Sequence, residues 1–179
     1  MNVHIRWMIR RDMTEVLEIE NKSSEHPWTE TNFIHQLRQR NCIGMIAESE
    51  DEKVVGYMIY ELHKDKLIVL NFAVHPDHQR KGVGRQMIEK LTSKLSYQRR
   101  NGIQLAVRET NVVACNFLTK MDFQYTQTLV DAYDDVDEDA YIFEYRHGAE
   151  CSATLYDKLF HDTDMLDKQP TNRVAKLFE

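Results

Sequence analysis

A chain of 179 residues with 42% hydrophobic and 29% charged residues has the composition of one soluble globular domain, with or without an appendage, and is long enough to bury a sizeable core. Its 29 acidic against 23 basic residues give a net charge of −6, which argues against a nucleic-acid partner, and no apolar run approaches the ~20 residues of a membrane span. Three cysteines, Cys42, Cys115 and Cys151, lack metal-ligand spacing, so neither a metal site nor a disulfide is expected; with no apolar leader core in the first residues, a reduced cytoplasmic setting is expected.

Val3, Ile5, Trp7 and Ile9 alternate with His4, Arg6, Met8 and Arg10, predicting a first strand. Asp12, with Glu15 three residues on, has the pattern of a capping box, and Val16, Leu17 and Ile19 give the following helix an apolar side. Ser23 to Trp28, including Pro27, interrupts it. Thr29 is placed to cap a second helix in which Phe33, Ile34 and Leu37 are apolar, with Arg38 and Arg40 at the end of the dipole that favours them. Three strands follow: Cys42 to Glu48, Val54 to Glu61 after a polar turn, and Leu67 to Ala73. An antiparallel meander is their simplest connection. Met87, Ile88, Leu91 and Leu95 share a helical face, which ends at Asn101-Gly102. Ile103 to Val107 reads as a short strand, and the helix before it implies a parallel crossover. Asn111 can cap a further helix, and Phe123 to Val130 and Tyr141 to Tyr145 read as a hairpin around the acidic Asp131–Asp139. The domain is thus expected over residues 1–147. In the extension over 148–179, Leu155, Leu159, Phe160 and Met165 suggest an amphipathic helix, packed on the domain or on the partner subunit of a homodimer, with disorder as the alternative.

The chemistry gathers around Val74-His75-Pro76-Asp77-His78-Gln79-Arg80-Lys81-Gly82-Val83-Gly84-Arg85. An apolar strand runs through a proline turn and two glycines into a helix N-terminus. Glycines let backbone approach a ligand closely, and the unpaired N–H groups of a first helical turn favour an anion. Arg80, Lys81 and Arg85 add positive charge. A P-loop would need Lys-Ser/Thr after the second glycine, and a dinucleotide fingerprint a third glycine and a later acid; neither is present.

Gln79-Arg80-Lys81-Gly82-Val83-Gly84 resembles the Gln/Arg-x-x-Gly-x-Gly loop of the GNAT superfamily of N-acetyltransferases, which binds the pyrophosphate of acetyl-CoA. Further segments are similar to its RimI-type branch, whose members acetylate protein N-termini, notably of a ribosomal protein: His26-Pro27-Trp28-Thr29, Asn71-Phe72-Ala73-Val74-His75-Pro76-Asp77, Val107-Arg108-Glu109-Thr110-Asn111 and Glu138-Asp139-Ala140. The resemblance implies an α/β (α+β) GNAT fold, a mixed central sheet of about seven strands flanked by about four helices, followed by the C-terminal extension. It further implies acetyl-CoA along Phe72, Ala73 and Val74, its pyrophosphate on Gln79, Arg80, Lys81, Gly82, Val83, Gly84 and Arg85, and Asn111 on its far side. Trp28, Asn71 and Tyr133 would contact the acceptor, a peptide or protein N-terminus or another cationic amine. The acidic hairpin, with Asp134, Asp135 and Asp137, reads by itself as a solvated turn; in this fold it would border that groove, and the alternative is that it steers cations into it.

The chain departs from the branch where protons move. The glutamate and tyrosine that RimI-type enzymes use fall at Ala106 and Leu118, and neither side chain carries a proton. Glu61, Tyr133 and His75, with Glu48 and Tyr141, are the remaining candidates for a base or acid acting directly or through water. Cys115, mid-helix among apolar residues, reads as a structural thiol. The expected activity is acetyl transfer from acetyl-CoA to a protein N-terminal α-amine; a small-amine or lysine acetyltransferase and an acyl-CoA-binding regulatory protein are the alternatives.

Overall fold

A computed structural model describes residues 1–96, 98–132 and 138–147. The elements run β1 (His4–Trp7), α1 (Met13–Ser23), α2 (Glu30–Leu37), β2 (Cys42–Glu48), β3 (Val54–Leu62), β4 (Lys66–Val74), α3 (Val83–Thr92), β5 (Gly102–Arg108), α4 (Val112–Thr119), β6 (Gln124–Leu129) and β7 (Ala140–Arg146), with 3-10 turns at Arg10–Asp12 and Pro76–His78. The strands form one seven-stranded mixed sheet in the order β1-β2-β3-β4-β5-β7-β6, and the predicted fold class is borne out. Tyr133, Asp134, Asp135, Asp137 and the extension at 148–179 lie outside the described residues. Among the described residues no helix is long and apolar enough to cross a membrane. Two compact units, Met1–Ile103 and the residues from Gln104 on, are taken in turn.

In the first unit β2 to β4 form the predicted antiparallel meander and β1 pairs antiparallel with β2, with Trp7 opposite Met45, Met45 opposite Met58 and Met58 opposite Phe72. One face is covered by α1 and α2, where Val16, Ile19 and Phe33 pack with Ile46, Tyr57 and Ile59 in a buried cluster. Pairing of Tyr57 with Ala73 and of Ile59 with Asn71 puts Asn71 on that same face. The other face receives α3, and Gly56 makes this possible. A Cβ there would stand 3.2 Å from the Ala73 carbonyl oxygen, 3.2 Å from Met87 Sδ and 3.4 Å from Val83 Cγ1, so only a hydrogen lets the helix settle on the strand.

Thr29 caps α2 as expected: its hydroxyl accepts from Asn32 N–H, and Asn32 Oδ1 accepts from Thr29 N–H in return. Asp12 departs from expectation. It makes no side-chain bond to the first turn of α1; its carboxylate turns back to accept from Ile9 N–H at 2.8 Å and from both Arg6 Nη atoms at 2.7 and 2.9 Å. The competitor that won is a paired guanidinium, since charge-assisted bidentate bonds exceed one backbone cap. Arg6 Nη2 also donates to Glu48 at 2.7 Å, so one arginine ties β1, the turn before α1 and β2 together. Burial works to raise the Asp12 pKa, but the bonds from Arg6 and Ile9 outweigh it and hold the carboxyl below its ordinary value.

In the second unit β6 and β7 form the predicted hairpin. Asn111 caps α4, accepting from Ala114 N–H at 3.0 Å. Glu138 clamps the loop between β5 and α4: it accepts from Arg108 Nη1 at 2.7 Å and from the Thr110 N–H and hydroxyl, while Glu109 N–H bonds the Asp139 carbonyl. The acidic pair before the last strand thus fixes the segment that presents Asn111.

Candidate active site

The cradle is built largely from backbone. β4 ends at Val74, whose carbonyl accepts from Gln79 Nε2 at 3.1 Å and from Ser23 Oγ at 3.4 Å. The Gln79 side chain thereby folds the turn back onto the strand end. Arg80 adopts φ +60° and Gly82 φ +85°, and this pair of left-handed residues reverses the chain into α3. The first helical bond runs from Gln86 N–H to the Gly82 carbonyl, so the amides from Gly82 to Arg85 have no acceptor within the helix. They form the positive end of the dipole, flanked by the exposed Arg80, Lys81 and Arg85. Gln86 stabilises the turn from inside the helix, donating to the Gly82 carbonyl at 3.2 Å and accepting from Val3 N–H at 3.2 Å. Backbone donors, positive side chains and a glycine turn at the end of one strand suit a diphosphate.

On the opposite face of β4 lies a polar cluster that the sequence reading missed. Glu20 of α1 is only 2% exposed. Its Oε1 accepts from Trp28 N–H at 2.8 Å and from Asn71 Nδ2 at 3.1 Å, and its Oε2 accepts from the Tyr57 hydroxyl. Burial, followed by the adjacent Glu20 charge, holds the Tyr57 phenol far above its ordinary pKa, so this hydroxyl remains a donor. Asn71 and Trp28, both expected at the acceptor, are brought together through this carboxylate. The signal was present: Glu20 falls four residues after Val16 and one after Ile19, on the face that should be apolar.

In the first unit the candidate proton carriers Glu61, Glu48 and His75 are each engaged by neighbouring groups. Glu61 stands three residues, ~10 Å, along β3 from Met58, the partner of Phe72, and pairs with His63 Nε2 at 2.8 Å. Glu48 is held by Arg6, whose hydrogen bond lowers its pKa. His75 directly follows β4; its Nδ1 accepts from Asp77 N–H at 3.2 Å and its Nε2 lies 3.2 Å from Lys22 Nζ. A neutral imidazole can accept at only one of these nitrogens. His78 Nδ1 is buried beside it without a hydrogen-bond partner among the described residues, and burial, then Lys81, lowers the His78 pKa. In the second unit Ala106 packs against Ala132 and Ala140, Leu118 is 1% exposed in the core, and Tyr141 stacks edge-on against Tyr125. Cys115 is half-buried, and burial raises its pKa.

The sequence model of the acetyltransferase (GNAT) family matches residues 12–123. The chain belongs to this family. The resemblance read from the Gln79–Gly84 loop is borne out, and acetyl transfer with acetyl-CoA as donor is the activity class. Among GNAT relatives, the chain is 27% identical over 112 residues to the ribosomal protein bS18-alanine N-acetyltransferase of Salmonella typhimurium, which covers 63% of this chain and 74% of that one. In fold it is similar to the ribosomal-protein-S18-alanine N-acetyltransferase of Escherichia coli, with TM-score 0.72 and 24% identity over 87% of this chain and 99% of that one. Ard1 from Thermoplasma volcanium is similar as well, with TM-score 0.74 and 24% identity over 82% of this chain and 99% of that one.

Proposed function

We propose that this GNAT protein transfers the acetyl group of acetyl-CoA to the N-terminal α-amine of a protein in the cytoplasm, by direct attack in a ternary complex. The donor would lie along Phe72, Ala73 and Val74, with its diphosphate on the Gln79–Arg85 turn. The amine nitrogen forms the new C–N bond, the C–S bond breaks, and the proton lost by nitrogen ends on the CoA sulfur or in solvent.

The observation that carries the α-amine is the aliphatic pair Ala106 and Leu118. With no carboxyl or phenol at those positions, an acceptor that arrives already neutral is favoured. At neutral pH roughly a tenth to a sixth of α-amines of pKa about 7.7–8.0 are neutral, against fewer than one in a thousand lysine side chains of pKa about 10.4. A thiol of pKa about 8.5 leaves as thiolate without an obligatory acid, and proximity in the ternary complex supplies part of the rate. The relatives that are ribosomal protein bS18-alanine N-acetyltransferases support the same acceptor.

The experiment is release of free CoA from acetyl-CoA with peptides carrying a free α-amine, the same peptides blocked at the terminus but carrying lysine, and polyamines. Turnover confined to free termini supports the reading. Turnover on lysine or polyamines alone contradicts it, as does tight acetyl-CoA binding without turnover.

A further inference from the structure

We infer that Glu20 is a positioning residue for the acceptor, holding the loop that carries Trp28 against the donor strand at Asn71. The inference rests on the proposed acetyl transfer, since this loop and strand matter to an amine only if one binds there.

Glu20 joins three chain segments through one side chain. Trp28 N–H lies in the α1–α2 connection, Tyr57 on β3, and Asn71 on β4 immediately before Phe72. The Tyr57 hydroxyl is also 3.1 Å from Asn71 Oδ1, which closes the cluster. Trp28 packs edge-on against Phe33 at 5.3 Å between ring centroids, and Phe33 edge-on against Tyr57 at 5.5 Å, so the indole sits over the same cluster. The loop is therefore fixed by its backbone at Glu20 and by its ring at Phe33.

The partners of Glu20 are a backbone amide, a side-chain amide and a phenol, all neutral. A carboxylate that is 2% exposed and, among the described residues, bonded only to neutral donors is costly compared with the apolar residue that this helix face otherwise calls for. Stability alone does not account for it. With donors on both oxygens, the side chain is a firm anchor for the segments that hold it. It acts through Trp28 and Asn71 rather than on the amine itself.

The test uses the full chain with acetyl-CoA and a peptide bearing a free alanine α-amine. Loss of the anchor leaves a buried N–H and amide unpaired, so Glu20→Ala should raise the acceptor KM about tenfold or more while the acetyl-CoA Kd stays within about twofold. Glu20→Gln keeps an acceptor oxygen toward Trp28 N–H and should recover most of the acceptor KM, with the pH limbs of kcat/KM in place. With Trp7→Phe as background, Trp28 is the remaining tryptophan of two, and Glu20→Ala should shift its emission to the red. Should Glu20→Ala not fold, Tyr57→Phe, which removes one donor, should raise the acceptor KM a few-fold. An acceptor KM unchanged in Glu20→Ala overturns the inference, as does acetyl-CoA affinity falling in step with it, the sign of a merely structural role. Loss of a pH limb in Glu20→Gln also overturns it, because Glu20 would then be the base. A wild-type protein that turns over no acceptor removes the underlying function and this inference with it; a wild type that turns over beside an unaffected Glu20→Ala removes the inference alone.

Discussion

Gly82→Ala separates backbone geometry from charge in the cradle. Gly82 stands at φ +85°, and a Cβ added there would meet only Gln86 Nε2, at 4.0 Å. Space is available, so the cost is conformational: an L-residue held left-handed costs about 1–2 kcal/mol. If the turn keeps its shape, that cost appears as lost stability, a Tm decrease of about 2–8 °C in a chain of this size. If the turn relaxes, the amides after Gly82 reorient and the cost appears in donor affinity, weakened about 5–30-fold. Calorimetric titration with acetyl-CoA and with acetyl-pantetheine, which lacks the diphosphate, reads the second outcome, and a thermal melt reads the first. Where the turn relaxes, acetyl-CoA affinity should fall while acetyl-pantetheine binding is little changed. Equal loss for both donors, or neither a Tm nor an affinity change, would refute the assignment of this turn to the diphosphate.

Three further outcomes are expected. The Asp12 and Glu48 carboxyls titrate below their ordinary values in the folded chain, so they contribute stability above the ordinary carboxylate range that is lost as pH falls through the folded values. Wild-type Tm should therefore drop between about pH 5 and pH 2, and Arg6→Met should lower Tm at neutral pH and flatten that dependence; a wild-type curve without the drop contradicts it. Leu118→Tyr, which restores the phenol of the RimI-type branch, forces a larger polar side chain into a site that is 1% exposed, and should cost about 1–3 kcal/mol of stability by denaturant titration rather than add activity. Glu138→Ala removes the acceptor for Arg108 and Thr110, and should raise hydrogen exchange at the Thr110 amide and the first turn of α4 while exchange in β2 and β3 stays at the wild-type rate.

What was legible in the sequence was mostly local. The strands Cys42–Glu48 and Val54–Leu62, the caps at Thr29 and Asn111, and the glycine turn before α3 each follow from alternation, capping chemistry or positive φ, which act within a few residues. Asp12 was misread because its choice between capping α1 and pairing with Arg6 is decided by β1, where the guanidinium also reaches Glu48 on β2. Gly56 gave no signal in an apolar strand, because the need for a hydrogen arises only where Met87 and Val83 of α3 approach it. Glu20 was overlooked for the opposite reason. The pattern Val16, Ile19, Glu20 places an acid on an apolar face, and an acid in a helix is easily taken for a solvated one until Tyr57 and Asn71 are seen beside it. The proton-transfer groups of the RimI-type branch are absent at Ala106 and Leu118, and both residues pack as core.

The central claim is that a chain with a GNAT donor cradle and aliphatic residues at those two positions acetylates an amine that arrives neutral. Its most direct test is mass spectrometry of a peptide that carries both a free alanine α-amine and an internal lysine, after incubation with acetyl-CoA, across a pH series. One acetyl group on the α-amine, formed at a rate that rises with pH through the α-amine pKa, is the predicted result. Acetylation of the lysine first, or an unmodified peptide beside saturably bound acetyl-CoA, would contradict it.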